Sequence, residues 1–521
     1  DIVLTGGSMF VGNRAAVSGG ALFIQAKNER LSILNSKIQR HTWKVPEYTL
    51  VSETDTERAN FNLTGNYTGF WVVFVENSIF SLLASFTVTG ANGYKNVIDK
   101  AHGTTLSITL PGVNDSVLFV AGHELSITFQ DNAEVCPACL NNKYGGFPVY
   151  IYAVPMDESL QNGLPVQFKD NYAGQSGGAV ALQNNNLSPL FLGVEFFSNS
   201  AGGTGGGIYM ENLNGFGAFD RVSFTGNSAV DSGGGLALLA AHVGSIIVRS
   251  NFSSNYVTGA VGVGGGLSLS TLNGKGYGIL AESSAVHINE TSFYANSASD
   301  GGAAYAYQGN AWSFWRCLFD SNAAVSNGGA IYGGSFNSLT LNESRLVRNR
   351  ALNGGALYLG ANSNASIERL EMIGNSAAYS GGAICAVSAL EMHMMGVSRM
   401  ENNSALRFGG GAMLLNSPLW IMSTQGSPHL SLSGNRAQYG SAIFLNSSRE
   451  LTEASVFQNL SMSYNRAYAG GTIFWVHWTI LATWPSMTRP SLGRTTLQPM
   501  APTRPHTSRP PPRPSCSTRN P

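Results

Sequence analysis

An asparagine recurs along most of this chain at a nearly constant interval, inside the same short motif each time, and few folds accommodate such a period. The anchors are Asn171, Asn199, Asn227, Asn255, Asn296, Asn322, Asn349, Asn375, Asn403, Asn435 and Asn465, spaced by 28, 28, 28, 41, 26, 27, 26, 28, 32 and 30 residues. The period is about 27, with one long interval after Asn255. An apolar residue stands three before most anchors (Phe196, Phe224, Phe252, Phe293, Phe319, Leu346, Met372), and in most copies a glycine pair follows five or six after. One further copy, around Asn13, occupies residues 10–22.

Beyond the glycine pair, apolar residues alternate: Val180 and Leu182, Ile208 and Met210, Leu236 and Leu238, Leu357 and Leu359. Period two belongs to strands, so each unit is a set of short strands. Glycine supplies a positive φ or a close backbone approach. Asparagine tolerates the left-handed conformation, and its amide can reach an equivalent asparagine one repeat away. Both features read as corners. About 27 residues give three short strands and three corners per coil, and coils stacked about 4.8 Å apart pair their backbones in parallel. The expected fold class is all-β, a single-stranded parallel β-helix or β-solenoid. Leucine-rich repeats need Leu-x-x-Leu-x-Leu before the asparagine, and calcium-binding nonapeptide rolls need an aspartate in each glycine turn; the repeat has neither.

Composition removes several function classes. Thirty basic and thirty acidic residues give a net charge of zero, without the basic excess of a nucleic-acid binder. At 43% hydrophobic the chain should fold and bury a core, and 62 glycines in 521 residues suit a repeat architecture. No apolar run reaches the roughly 18 residues of a membrane-spanning helix. Five cysteines are too few for a disulfide scaffold. The chain starts at Asp1 without a leader, as a mature product or a fragment would. Eleven Asn-x-Ser/Thr sequons, against about 8 expected by chance, favour an extracytoplasmic location weakly.

Phe319-x-x-Asn322 followed by Gly328-Gly-Ala-Ile331, and Met372-x-x-Asn375 followed by Gly381-Gly-Ala-Ile384, resemble the Phe-x-x-Asn and Gly-Gly-Ala-Ile motifs of the chlamydial polymorphic outer-membrane protein repeats. Looser forms stand at residues 205–208 and 354–357. The resemblance covers residues 166–474 and 5–24. It implies a right-handed β-helical passenger displayed at the cell surface and used for adhesion. Family members end in a membrane β-barrel, and here the sequence departs: residues 485–521 hold ten of the 19 prolines and six arginines, and no acid follows Glu453.

The chain divides into a first coil over 1–30, an irregular β-rich segment over 31–165, regular repeats over 166–474, and a Pro/Arg-rich tail over 475–521 that is disordered or artefactual. The irregular segment reads as degenerate coils or an insertion. Degenerate coils are the nearer fit, because the 158 residues separating Asn13 from Asn171 are close to six periods. Cys136 and Cys139 read as a local disulfide or plain thiols before half a zinc site.

Enzymes on parallel β-helices need carboxylates from neighbouring coils converging on one face. No adjacent-coil pair emerges. Asp231 and Asp300 fall four after their anchors with a coil between them, Asp170 and Asp320 fall on unlike sides of the strand, and Glu195 and Asp220 stay unplaced. Residues 264–266 lack the Gly-Lys-Ser/Thr of a phosphate loop. Cys317, two before Phe319, is expected in the core, and Cys385, beside inward Ile384, at the surface. Arg350, Arg436 and Arg466 each follow an anchor, a short basic edge that could meet an acidic glycan but reads more simply as solvated arginine. The histidines lack metal-ligand spacing. The sequence assigns no catalytic, cofactor-binding or metal-ligating residue; its eleven assigned residues are the structural anchors.

The expected function is that of a secreted or cell-surface β-helix, an adhesive or structural rod. It would bind a surface glycan or a protein ligand through its side faces and the loops at 256–263 and 270–287. Self-association along coil ends is a further expectation, whereas a nucleic-acid partner and a transmembrane segment are not expected. The rival is a polysaccharide lyase or glycoside hydrolase of the pectate-lyase-like type.

Overall fold

The structure is a computed structural model describing residues 2–25, 31–34, 39–44, 48–49, 58–75, 84–91, 105–109, 116–131, 143–144, 148–155, 164–183, 189–211, 217–239, 245–270, 286–387, 389, 391–416, 419–421, 430–447 and 459–477. It is built from strands, without a helix among the described residues.

Each regular coil holds four strands. One coil has Leu190–Leu192, Val194–Phe197, Ser200–Ala201 and Ile208–Glu211, and the next has Ala218–Asp220, Ser223–Thr225, Ser228–Ala229 and Leu236–Leu239. Strands of like position pair in parallel, Phe191 with Phe219, Phe196 with Phe224, Ala201 with Ala229 and Ile208 with Leu236. The result is a β-solenoid of roughly 28 residues per coil.

Four strands replace the expected three for a local reason. The residue before each anchor is left-handed: Asp170, Ser198, Gly226, Ser254, Ala295, Ser321, Arg348, Gly374, Asn402, Gly434 and Tyr464 all have positive φ. That kink splits one extended run in two. The anchors themselves are not left-handed, although asparagine tolerates that conformation. The preceding residue takes the strained torsion, costing about 1–2 kcal/mol where it is not glycine, and the asparagine that follows binds the next coil.

Two compact units can be distinguished: Asp1–Asn255 with Leu269–Thr291 and Ala311–Ser313, and Tyr256–Ser268 with Ser292–Asn310 and Phe314–Pro521. The first is cored by the stack Phe10, Phe168, Phe196, Phe224 and Phe252, with ring centroids 4.8, 4.9, 5.0 and 4.7 Å apart. A second column there stacks Phe191 on Phe219. In the second unit Phe293 stacks on Phe319 at 4.8 Å, and the same column continues as Leu346, Met372, Met400 and Leu432, all fully buried. Each buried phenylalanine contributes about 2 kcal/mol, and each stacked pair about 1 kcal/mol more.

The glycine pair meets two separate demands. Gly354 is left-handed (φ 60), whereas a Cβ on Gly355 would lie 2.2 Å from the Gly382 carbonyl oxygen of the next coil. The outer side of the strand after this corner is covered too: Tyr358, Cys385, Leu414 and Phe444 are buried there, packed with Phe408, which precedes the Gly410 corner of its own coil. Cys385, expected at the surface, is therefore buried: it lies opposite inward Ile384, but the cluster packed with Phe408 encloses that side. Cys317 is buried, in the position its spacing indicates.

The irregular segment leaves and re-enters the solenoid at one corner. Ile33 pairs with both Leu4 and Phe191, and Phe168 pairs directly with Phe10. The first two coils are thus adjacent, although Leu34 and Leu164 are far apart in sequence. Six described strands in between form an antiparallel sheet in the order Thr105–Thr109, Ala84–Ala91, Ser116–Asp131, Arg58–Val75, Pro148–Pro155, Gln39–Lys44. Its first and last strands in sequence, Gln39–Lys44 and Pro148–Pro155, are neighbours. Degenerate coils would pair in parallel with the solenoid, so the expectation of degenerate coils gives way to an inserted antiparallel sheet. Cys136, Cys139 and the tail beyond 477 lie outside the described residues.

Candidate functional site

Anchors with a neighbour on both sides use their amides completely. Asn199 Nδ2 donates to Asn227 Oδ1 (2.9 Å) and to the Phe168 carbonyl (2.8 Å), and its Oδ1 accepts from Asn171 N (3.1 Å) and Nδ2 (2.8 Å). The pattern runs through Asn171, Asn199, Asn227 and Asn255 in the first unit, and through Asn296, Asn322, Asn349, Asn375, Asn403, Asn435 and Asn465 in the second. Ten anchors are buried and Asn465 is partly exposed. Saturated buried amides have no donor or acceptor left for a ligand, so these residues hold the scaffold.

Other corners use the same device with hydroxyls and amides. Ser250 Oγ accepts Val222 N, Ser344 Oγ accepts Cys317 N, Ser398 Oγ accepts Leu370 N, and Asn337 Oδ1 accepts Asn310 N. A shorter ladder in the second unit ends on an acid. Asp300 Oδ1 accepts from Asn327 N (2.8 Å) and Nδ2 (2.9 Å), Asn327 Oδ1 accepts from Asn353 Nδ2, and Asn353 Oδ1 accepts from Ser380 Oγ. Burial raises the Asp300 pKa above the ordinary carboxylate value, more than the two bonds from Asn327 lower it.

Four acids are tied to arginines one coil away. In the second unit Glu343 lies between Arg316 (2.8 Å) and Arg369 (2.9 Å), Glu371 lies between Arg345 (2.8 Å) and Arg399 (2.9 Å), and Asp320 pairs with Arg348. In the first unit Asp220 is buried and accepts from Arg249 Nε (3.0 Å), Arg249 Nη2 (2.6 Å) and Arg221 Nη2 (3.1 Å). The sequence left Asp220 unplaced; the signal was Arg249, one coil period beyond it. Glu195 accepts from Gln167 Nε2 at 2.7 Å, while Asp170 and Asp231 are exposed. Carboxylates held by guanidinium forks have their oxygens engaged by the protein and are not free to converge on a substrate.

Among the described residues no three His, Cys, Asp or Glu side chains gather to hold a metal ion, and no helix is long and apolar enough to cross a membrane. One pairing the sequence did not suggest joins His287 Nδ1 to Ser313 Oγ at 2.8 Å across coils. Of the arginines that follow anchors, Arg436 and Arg466 are register partners on neighbouring strands, while Arg350 lies between Ala323 and Ser376. The loop at 256–263 carries Val261, 81% exposed, and most of the 270–287 loop lies outside the described residues.

Parallel sheets, corner ladders and glycine pairs define a β-solenoid repeat protein. The family model of the Chlamydia polymorphic membrane protein (Chlamydia_PMP) repeat matches residues 316–334 and 369–387. The two matches span the Gly328 and Gly381 corners and the Asn322 and Asn375 anchors. No curated protein matches the chain. Among solved structures it is similar to the catalytic domain of a GH87 alpha-1,3-glucanase in complex with tetrasaccharides, at 9% identity over 85% of this chain and 96% of that one, TM-score 0.24. It is also similar to the catalytic unit of a thermostable GH87 alpha-1,3-glucanase from Streptomyces thermodiastaticus strain HF3-3, at 9% identity, the same coverage and TM-score 0.26. Likeness of that degree carries no argument about what this chain does.

Proposed function

We propose that the chain is a secreted or cell-surface β-solenoid that serves as an adhesive or structural element, binding a glycan or protein through the side faces of its coils and the loops that interrupt them. The observation that carries this reading is where the polar chemistry goes. The buried anchor asparagines and corner serines such as Ser250 are engaged by neighbouring coils, and Asp220, Asp320, Glu343 and Glu371 are held by arginines. What faces outward is a set of in-register columns suited to many weak contacts along a surface. The match to a membrane-protein repeat family supports a location at the cell surface.

The test is to incubate the purified full chain with acidic and neutral polysaccharides, with and without calcium, and to follow their size profiles. Unchanged polysaccharide that co-elutes with the protein is the expected result. Shortened polysaccharide would overturn the reading in favour of a lyase or hydrolase.

A further inference from the structure

The arginines of the second unit fall into two groups. Arg316, Arg345, Arg348, Arg369 and Arg399 each have a carboxylate within ion-pair distance. Arg350, Arg407, Arg436 and Arg466 are exposed and have no ion-pair partner among the described residues, and Arg350 is set apart from the others by Ser376 and Ser404 in the same column. Arg436 and Arg466 are direct register partners on parallel strands, which places their backbones about 4.8 Å apart and sets like charges side by side. Arg407 lies three residues beyond Ser404, the register partner of Arg436 one coil earlier. Tyr468, two residues after Arg466, is 90% exposed.

The scaffold does not require arginine here. The same column carries Ser376 and Ser404 in the two preceding coils, and the strands are already joined by the Ala437–Ala467 pair and the bond from Arg466 N to the Asn435 carbonyl. Two unneutralised arginines in register therefore cost stability without contributing to the fold.

We propose that the outward face around Arg436 and Arg466, with Arg407 and Tyr468, binds a linear anionic glycan carrying carboxylate or sulfate groups on successive sugars. The strand spacing is close to the length of one sugar unit, so consecutive acidic groups meet consecutive guanidinium forks, each able to bind in bidentate fashion. The Tyr468 ring supplies an apolar face for a sugar ring. Bound anions also relieve the Arg436–Arg466 repulsion, which adds to the affinity. This site rests on the adhesive reading and gives it a ligand class.

The test is retention of the full chain on immobilised polygalacturonate, heparin and neutral dextran, compared with the double variant R436S/R466S and with R345S, whose arginine is already paired with Glu371. The expected result is salt-sensitive retention on one or both acidic matrices and none on dextran. R345S should match the parent, and R436S/R466S should bind roughly tenfold more weakly with an unchanged or higher melting temperature. Retention on polygalacturonate alone would identify carboxylate as the recognised group, and on heparin alone sulfate. Undiminished retention of a folded R436S/R466S would overturn this site and leave the adhesive reading standing. A parent chain that binds none of the matrices overturns this site; if it also fails to bind cell surfaces, the adhesive reading falls with it.

Discussion

Asn349 donates to Asn375 Oδ1 twice, from its side-chain amide at 3.0 Å and from its backbone N at 2.9 Å. Its own Oδ1 accepts the matching pair from Asn322, and its second amide hydrogen goes to the Phe319 carbonyl at 3.0 Å. Aspartate has the same shape but would set an oxygen against the Phe319 carbonyl and the Asn375 Oδ1. Asn349→Asp should therefore cost about 3 kcal/mol in chemical denaturation. The buried acid would have a raised pKa, so the deficit should shrink on acidification, when the carboxyl becomes protonated and regains one donor. A variant as stable as the parent at neutral pH would mean that the ladder does not hold the coils.

The two kinds of glycine corner respond differently to the same substitution. Gly374 is left-handed (φ 65), but the nearest atom to a Cβ there is Arg348 Cγ at 3.8 Å, whereas a Cβ on Gly355 meets backbone at 2.2 Å. Gly374→Ala should cost about 1–2 kcal/mol, the torsional penalty alone. Gly355→Ala forces neighbouring coils apart and should cost about 3 kcal/mol or more. Equal losses of melting temperature in the two variants would refute this division.

Arg249 and Asp220 test the buried ion cluster of the first unit. Arg249 is left-handed (φ 47), and asparagine tolerates that torsion, so Arg249→Asn isolates the charge effect. It leaves a buried carboxylate with Arg221 as its remaining salt-bridge partner and should cost about 2 kcal/mol. Asp220 stands in register between Leu192 and Val248. Asp220→Leu in the R249N background should therefore recover most of the loss, as a double-mutant cycle on denaturation midpoints would show.

The solenoid was legible because its two corner signals, Asn171 through Asn465 and the glycine pairs, are locally required in every coil. Legibility failed where a residue's role depends on what lies one coil above. Ser198 carries no mark of its left-handed torsion, and Cys385 alternates like a surface residue although Leu414 and Phe408 of the next coil belong to the cluster that buries it. The inserted sheet was hidden for another reason. The continuous apolar run over 70–75 and the alternating residues over 125–129 fit parallel and antiparallel strands equally well, and only the pairing partner separates the two. Arg436 and Arg466 were visible as residues following anchors. That they lack acidic partners while Arg345 and Arg399 share Glu371 is a property of the stack.

Asp300 gives the solenoid a pH dependence whose direction follows from burial. Its folded pKa is raised by desolvation and only partly lowered by the bonds from Asn327 Nδ2 and N. The folded state therefore holds this proton more tightly than the unfolded chain does. The stabilisation is complete below the ordinary carboxylate pKa of about 4 and is lost as pH rises through the raised folded value. Asp300→Asn keeps an oxygen that accepts both Asn327 bonds and removes the charge. The variant should match the parent in acid, melt at a higher temperature at neutral pH, and show a flatter profile of melting temperature against pH. A profile as steep as the parent's would assign the pH dependence to another group, and a variant less stable at neutral pH would show that Asn327 needs the negative charge.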